Sequence, residues 1–169
     1  MNVLVVYYSL TGHTAQLAEA VASLLNADTE VLEDQRAWNG FLGYLKLAHD
    51  VLRKVEPRLA PVVHDPADYD LVVLAGPVWV SRMCSPTVAY ALQHKEHFTR
   101  TALLCTSRSG EPGYPDRCMS SLIEATGIKP VAALGLSHKD IAGDHAQAVA
   151  DFVAFLRGSD AKAQAHEGE

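Results

Sequence analysis

The sequence has a hydroxyl-rich segment near its start, Ser9-Leu10-Thr11-Gly12-His13-Thr14. It follows the apolar run at residues 3–8 and precedes apolar residues at helical spacing, so we expect it to connect a β-strand to the N-terminus of an α-helix. Backbone N–H groups and the positive end of the helix dipole favour an anion at such a junction. The three hydroxyls can each donate to a phosphate oxygen, and the glycine permits close backbone approach. The segment predicts a phosphate site without Lys or Arg, although Ser and Thr also cap ordinary helices.

Other anion-binding motifs are missing at this position. A nucleoside triphosphate loop needs GxxxxGK[ST] and a dinucleotide site needs GxGxxG, and neither pattern follows the first predicted strand. A phospho-acceptor domain would place clustered Asp residues at the strand ends, where this sequence has Ser9 and Gly76.

A second segment, GPVWVSRMCSP at residues 76–86, follows the most apolar predicted strand at residues 71–75. Trp79 is expected at an exposed strand end, where a flat aromatic side chain offers area for stacking. The alternative is that Trp79 packs in the core.

A third segment, TSRSGEPGY at residues 106–114, is too long and too polar for a tight turn. Its Ser and Gly backbone can donate N–H groups to the polar edge of a ring, and Tyr114 can cover a ring face. The alternative is a flexible connection, which Gly and Pro also produce.

The pattern along the chain alternates short apolar runs with helical periods. Strands are predicted at residues 3–8, 31–32, 71–75, 101–106 and 130–136. Five strands that alternate with helices predict an α/β fold, a doubly wound parallel sheet with helices on both faces. In such sheets ligands bind at the carboxyl ends of the strands, where all three segments lie.

Helices are predicted between these strands. One follows the first segment, a long amphipathic one spans residues 41–55, and one covers residues 116–126 and ends at Gly127. Another is expected to have Ser85 as its N-cap and to run to about His97. The first and last predicted helices each have an apolar face, formed by Leu17, Ala20, Val21 and Leu24 in the first and by Val149, Phe152, Val153 and Leu156 in the last.

The pattern [ST]xTGxT after the first strand is the phosphate loop of flavodoxins, and residues 9–14 match it throughout. The GPVW segment likewise resembles the GxPxW loops of flavodoxin-like reductases. The sequence therefore resembles the flavodoxin-like family over residues 1–157, with residues 158–169 expected as a flexible C-terminal tail. The resemblance implies the strand order 2-1-3-4-5 and FMN bound at the switch point between the first and third strands.

The resemblance also implies which residues hold FMN. The first segment, with Ser9, Leu10, Thr11, Gly12, His13 and Thr14, would bind the phosphate. The flavin ring would lie between the other two segments. Because the flavin carries out the redox step, no catalytic side chain and no metal ligand are expected. The residues expected around the ring are Pro77, Val78, Trp79, Val80, Arg82, Ser107, Arg108, Ser109, Gly110 and Tyr114.

The charge around this site favours an enzyme. Carrier flavodoxins surround FMN with acidic residues, whereas these segments contain Arg82, Arg108 and Arg117 against Glu111 and Asp116. We expect an FMN-dependent oxidoreductase that takes two electrons from NAD(P)H and reduces a quinone or a similar small-molecule acceptor. The alternatives are a flavodoxin-type carrier that docks on a redox-partner protein and a domain that has lost its flavin.

Composition limits the remaining possibilities. The 169 residues fit one domain, and 14 Lys and Arg against 20 Asp and Glu give a net charge of −6, which disfavours nucleic acid and anionic membranes. The apolar stretch at residues 71–80 is too short to span a bilayer. Cys84, Cys105 and Cys118 form no CxxC pair, so we expect reduced thiols in a cytoplasmic protein. The aromatic stretch at residues 38–46 is a candidate substrate pocket or homodimer contact.

Overall fold

The computed structural model describes residues 1–36, 49, 53 and 56–167, and of residues 160–167 it describes the backbone alone. The predicted helix at residues 41–55 and the aromatic stretch at residues 38–46 lie outside the described residues.

A parallel sheet forms the centre of the molecule, and its strand order confirms the predicted one. A sixth strand of two residues pairs antiparallel with the end of the third strand and lies off the main order. The main order in space is β2-β1-β3-β5-β6, which is 2-1-3-4-5 when the short β4 is left out. The strands are β1 (Val3–Tyr7), β2 (Asp28–Val31), β3 (Leu71–Trp79), β4 (Arg82–Met83), β5 (Thr101–Ser107) and β6 (Ala132–Ser137).

Helices cover both faces of the sheet, which confirms the predicted α/β architecture. Of the helices in the described residues, two pack on one face and three on the other. The first face carries α2 (Ser85–His94) and α3 (Tyr114–Thr126), and the second carries α1 (His13–Leu25), α4 (His138–Ala142) and α5 (Ala146–Glu167). Two short 3-10 turns are found at Pro66–Asp68 and Lys95–His97.

The central strands β1, β3 and β5 are largely apolar on both sides because both sides are covered. In β1, Val3 and Val5 belong to the core cluster that contains α1 and α5, whereas Leu4 and Val6 belong to the cluster that contains α2 and α3. The buried face predicted for α5 is confirmed, since all four of its residues are buried. In α1 the prediction for Leu24 was wrong: Leu24 is exposed, and Leu25 is buried in its place.

The third strand is longer than the sequence suggested. It continues through Gly76 and Pro77, which were expected to end it, because β4 folds back and pairs with its last residues. The Cys84 amide donates to the Pro77 carbonyl (3.0 Å), while the Cys84 carbonyl accepts from Val88 in α2. In this pairing a backbone N–H at position 77 would point to the Cys84 carbonyl, which already accepts from Val88. Proline, which has no N–H, is therefore tolerated at this position.

Three helix ends also differ from the predictions. Cys84, rather than Ser85, is the N-cap of α2, and its side chain makes no capping bond to the backbone. The helix α3 begins at Tyr114, two residues earlier than predicted, and ends at Gly127 as expected. The last helix continues to Glu167, so residues 158–167 are helical, while the flexibility of this tail stays a prediction. No helix in the described part of the chain is both long and apolar enough to span a membrane.

Candidate cofactor site

The three segments identified in the sequence meet at the carboxyl edge of the sheet. They follow β1, β3 and β5, which are consecutive neighbours in the strand order. The chain leaves β1 toward β2 on one side and continues from β3 toward β5 on the other, so the order reverses between β1 and β3. This reversal is the position at which open α/β sheets bind ligands.

The Ser9 side chain fixes the conformation of the first segment. Its Oγ accepts from the Gly12 amide (3.2 Å) and from the Ala15 amide (3.1 Å). Gly12 is the N-cap of α1 with a φ of 89°, a conformation in which a Cβ is strained. Within the described residues, the amides of Thr11, His13 and Thr14 have no acceptor. Three N–H donors therefore surround one end of α1, an arrangement that suits a phosphate.

The three hydroxyls of this segment do not have equivalent surroundings. The Thr14 hydroxyl is buried and lies 2.7 Å from the Thr106 hydroxyl at the end of β5. The Thr14 hydroxyl therefore joins the first segment to the third. One of the two hydroxyl hydrogens is used between the two threonines, so only the other is left for a phosphate. The Thr11 side chain is exposed, and its Oγ1 lies 3.2 Å from Nδ1 of His13.

His13 stacks on His138, the first residue of α4. The ring centroids are 3.8 Å apart and the planes differ by 2°. Burial lowers the pKa of His138 below its usual value, and the positive charges of His13 and Arg108 lower it further. No local signal could pair two residues from opposite ends of the chain.

The second segment is a β-hairpin rather than a loop. Its two turn residues, Val80 and Ser81, have φ values of 48° and 59°, which non-glycine residues rarely adopt. Trp79 is buried, not at an exposed end as expected, because it packs edge-on against Tyr8 with ring centroids 5.3 Å apart. Val80 at the tip is 53% exposed, so it presents the apolar surface expected of Trp79.

The third segment is ordered by its own side chains. Oγ of Ser107 accepts from the Ser109 amide (3.0 Å), and Oγ of Ser109 accepts from the Glu111 amide (3.2 Å). The Tyr114 hydroxyl lies 3.0 Å from Oγ of Ser81, which ties this segment to the tip of the hairpin. These bonds give the third segment a defined conformation, while its flexibility stays untested.

Two glycines bring the helices close to the ends of the strands. A Cβ on Gly76 would lie 2.6 Å from Oγ1 of Thr87 in α2, and a Cβ on Gly135 would lie 2.6 Å from the Pro115 Cβ in α3. The neighbouring Cys84 is fully buried, and burial raises its pKa to about 12. A buried thiol with a raised pKa is a poor nucleophile, so the environment of Cys84 suits packing rather than catalysis.

The rim of the site carries positive charge. Arg82 and Arg108 are exposed and form no ion pair within the described part of the chain, whereas Arg117 pairs with Glu111 (2.6 Å) and lies over the Tyr114 ring.

Residues 1–36, 49, 53 and 56–167 contain no cluster of His, Cys, Asp or Glu that could hold a metal ion.

Solved structures with a similar fold confirm the resemblance to flavodoxin-like proteins at the level of the fold. A flavoprotein from Lactobacillus acidophilus in complex with FMN superposes with a TM-score of 0.67 at 19% identity, covering 83% of this chain and 96% of its own. A protein from Bacteroides eggerthii, assigned as a flavoprotein, gives 0.66 at 18% identity, with 90% and 98% covered. Flavodoxin 2 from Bacillus cereus gives 0.53 at 12% identity, with 94% and 99% covered. No protein-family model matches the sequence, and neither does any curated protein. The chain thus has a flavodoxin-like fold.

Proposed function

We propose that this protein binds FMN and acts as an NAD(P)H-dependent oxidoreductase on a quinone or a similar small acceptor. The observation that carries the proposal is the first segment: Thr11, His13 and Thr14 present amide N–H groups without an acceptor at the β1–β3 switch point. Donors left unpaired at the surface of an otherwise ordered turn are suited to a phosphate. The fold shared with an FMN-bound flavoprotein supports the same cofactor.

The remaining residues of the site suit a flavin ring. Val80 offers exposed apolar surface at the hairpin tip, and Tyr114 is held against the same tip by its bond to Ser81. Backbone positioned by Ser107 and Ser109 can donate to the polar edge of the ring. Trp79 supports the hairpin from within the core.

The bound flavin would supply the hydride and electron chemistry. The protein's part is to bind, orient and set charge. Arg82 and Arg108 carry positive charge that no described carboxylate neutralises, and such charge favours the anionic, fully reduced cofactor. This is the support for two-electron chemistry with a nicotinamide donor. No acid–base side chain is required, because positioning the donor against the flavin supplies the rate.

An electron carrier is the second candidate. Leu10 and Val80 are both exposed, 41% and 53%, at the edge where the three segments meet. Apolar side chains around a redox centre suit a transient contact with a redox-partner protein. The carrier would bind FMN in the same way but would not be reduced by a nicotinamide.

An anaerobic titration of the FMN-loaded protein with NADPH and then with NADH separates the two. We expect one equivalent of a nicotinamide to bleach the flavin absorbance in a single two-electron step, and a quinone to restore it. Reduction by dithionite but by neither nicotinamide would favour the carrier. The cytoplasmic location and a homodimer contact at residues 38–46 stay predictions.

A further inference from the structure

Two imidazoles and a guanidinium come together beside the first segment. His13 begins α1 and His138 begins α4, and their rings stack at 3.8 Å. Arg108, in the third segment, is close enough for its charge to disfavour protonation of His138. Parallel rings at this distance repel each other when both are charged, so a second positive charge on the pair is disfavoured.

This cluster has no carboxylate of its own. Its residues come from α1, α4 and the third segment, and the charges that act on His138 are those of His13 and Arg108, both positive. The carboxylates of these elements already have partners within the described residues: Glu19 accepts from the Tyr7 hydroxyl, Asp140 accepts from Ser137, and Glu111 pairs with Arg117.

The His13–His138 stack adjoins the unpaired amides of the first segment. His13 lies between Gly12 and Thr14 in the sequence, and its Nδ1 is bonded to the Thr11 hydroxyl. A phosphate held by the amides of Thr11, His13 and Thr14 therefore lies next to an imidazole that can gain a proton. A dianion favours the protonated form of a neighbouring base.

We propose that the His13–His138 stack takes up a proton when a phosphate monoester dianion occupies the first segment, and that this charged pair, with Arg108, selects phosphorylated over unphosphorylated flavin. The inference rests on the proposed function. It assigns His138, which lies outside the three segments, to ligand selection.

Calorimetric titration of the apoprotein with FMN tests the proposal directly. At about pH 7.5, where a free imidazole and a free phosphate monoester are mostly deprotonated, binding in buffers of different ionisation enthalpy reports the protons taken up. We expect uptake approaching one proton for the wild type and close to none for His138→Gln. We also expect His138→Gln to weaken FMN binding by about tenfold, the size of one hydrogen bond to a charged group. Riboflavin, which lacks the phosphate, should bind both proteins equally and without proton uptake.

Two further variants complete the design. His13→Gln should reproduce the loss of proton uptake, which guards against a local folding defect in one variant. His97→Gln is the matched control, because His97 is 54% exposed in its side chain and precedes β5 at the opposite edge of the sheet. It should bind FMN as the wild type does.

The outcomes distinguish the inference from the function on which it rests. Unchanged proton uptake and FMN affinity in both imidazole variants would overturn the inference and leave FMN binding intact. An equal loss of affinity for riboflavin and FMN in the imidazole variants would also overturn the inference. So would an effect of these variants on NADPH but not on NADH, because the cluster would then act on the nicotinamide donor. A wild-type protein that binds neither flavin would overturn the proposed function as well.

Discussion

At the scale of single residues, the site depends on backbone groups more than on side-chain charge. Gly12 has the left-handed φ that turns the chain from β1 into α1, and Ser9 fixes the turn through two amides. The sequence placed both residues in a strand-to-helix turn, but it predicted a phosphate donor at Ser9 and close backbone approach at Gly12 rather than these turn-forming roles. It could not predict that the Thr14 hydroxyl is buried against Thr106, since that contact joins residues on different strands and helices.

Gly12→Ala should weaken both the fold and FMN binding. A Cβ at this position would meet no atom within 4 Å, so the expected cost of about 1–2 kcal/mol in the free energy of unfolding comes from the left-handed φ alone. Urea denaturation measures this cost, and flavin fluorescence quenching measures the affinity. Gly158→Ala is the control: that glycine lies within α5 with open space around it, and alanine there should stabilise by about 0.5–1 kcal/mol. Equal stability of wild type and Gly12→Ala would contradict the account.

The Thr14–Thr106 pair should behave as a unit. Replacing either residue by valine leaves one buried hydroxyl without its partner, so each single variant should lose about 1–3 kcal/mol of stability. The double variant should lose clearly less than the sum, because both hydroxyls are then gone. A double-mutant cycle from chemical denaturation measures the coupling. Additive losses would show that the 2.7 Å contact contributes nothing specific.

At the scale of elements, the central strands were predictable and the hairpin was not. Apolar runs buried on both sides identify β1, β3 and β5, and the strand order followed from the resemblance. The edge strand β2 was predicted at residues 31–32 but lies at Asp28–Val31, because its mostly polar and exposed residues form no apolar run. The hairpin was missed because Gly76-Pro77 ordinarily ends a strand, and because Val80 and Ser81 are residues that two-residue turns seldom use. Trp79 was expected at an exposed end for the same reason, and the alternative given for it, packing in the core, is what the structure shows.

The hairpin turn should store strain that can be removed. Both Val80 and Ser81 have positive φ values, a conformation that asparagine and glycine adopt readily. The variant Val80→Asn with Ser81→Gly should therefore raise the free energy of unfolding by about 1–3 kcal/mol. This variant should also weaken FMN binding, because position 80 no longer carries an apolar side chain and Tyr114 no longer has the Ser81 hydroxyl as its partner. A less stable double variant would show that the turn is not strained.

At the scale of the whole molecule, the pH dependence of stability follows from groups whose pKa is lowered on folding. His138 binds its proton less readily in the folded state than in the unfolded chain, so the unfolded state holds more protons below about pH 6.5. This contribution to the stability of the apoprotein is present above that pH and is lost as the pH falls toward the folded-state pKa. Denaturation at a series of pH values between about 5 and 7.5 should show a rise with pH that is smaller in His138→Gln. A slope unchanged by the substitution would show that His138 does not titrate differently in the folded state.

The central claim is that the first segment holds the phosphate of FMN through backbone amides, and its most direct test is flavin binding by the purified apoprotein. Titration with FMN, followed by the change in flavin absorbance and fluorescence, should saturate at one equivalent with a dissociation constant of micromolar or lower, and Gly12→Ala should bind more weakly. A protein that remains colourless and shows no saturable change at micromolar FMN would contradict the account.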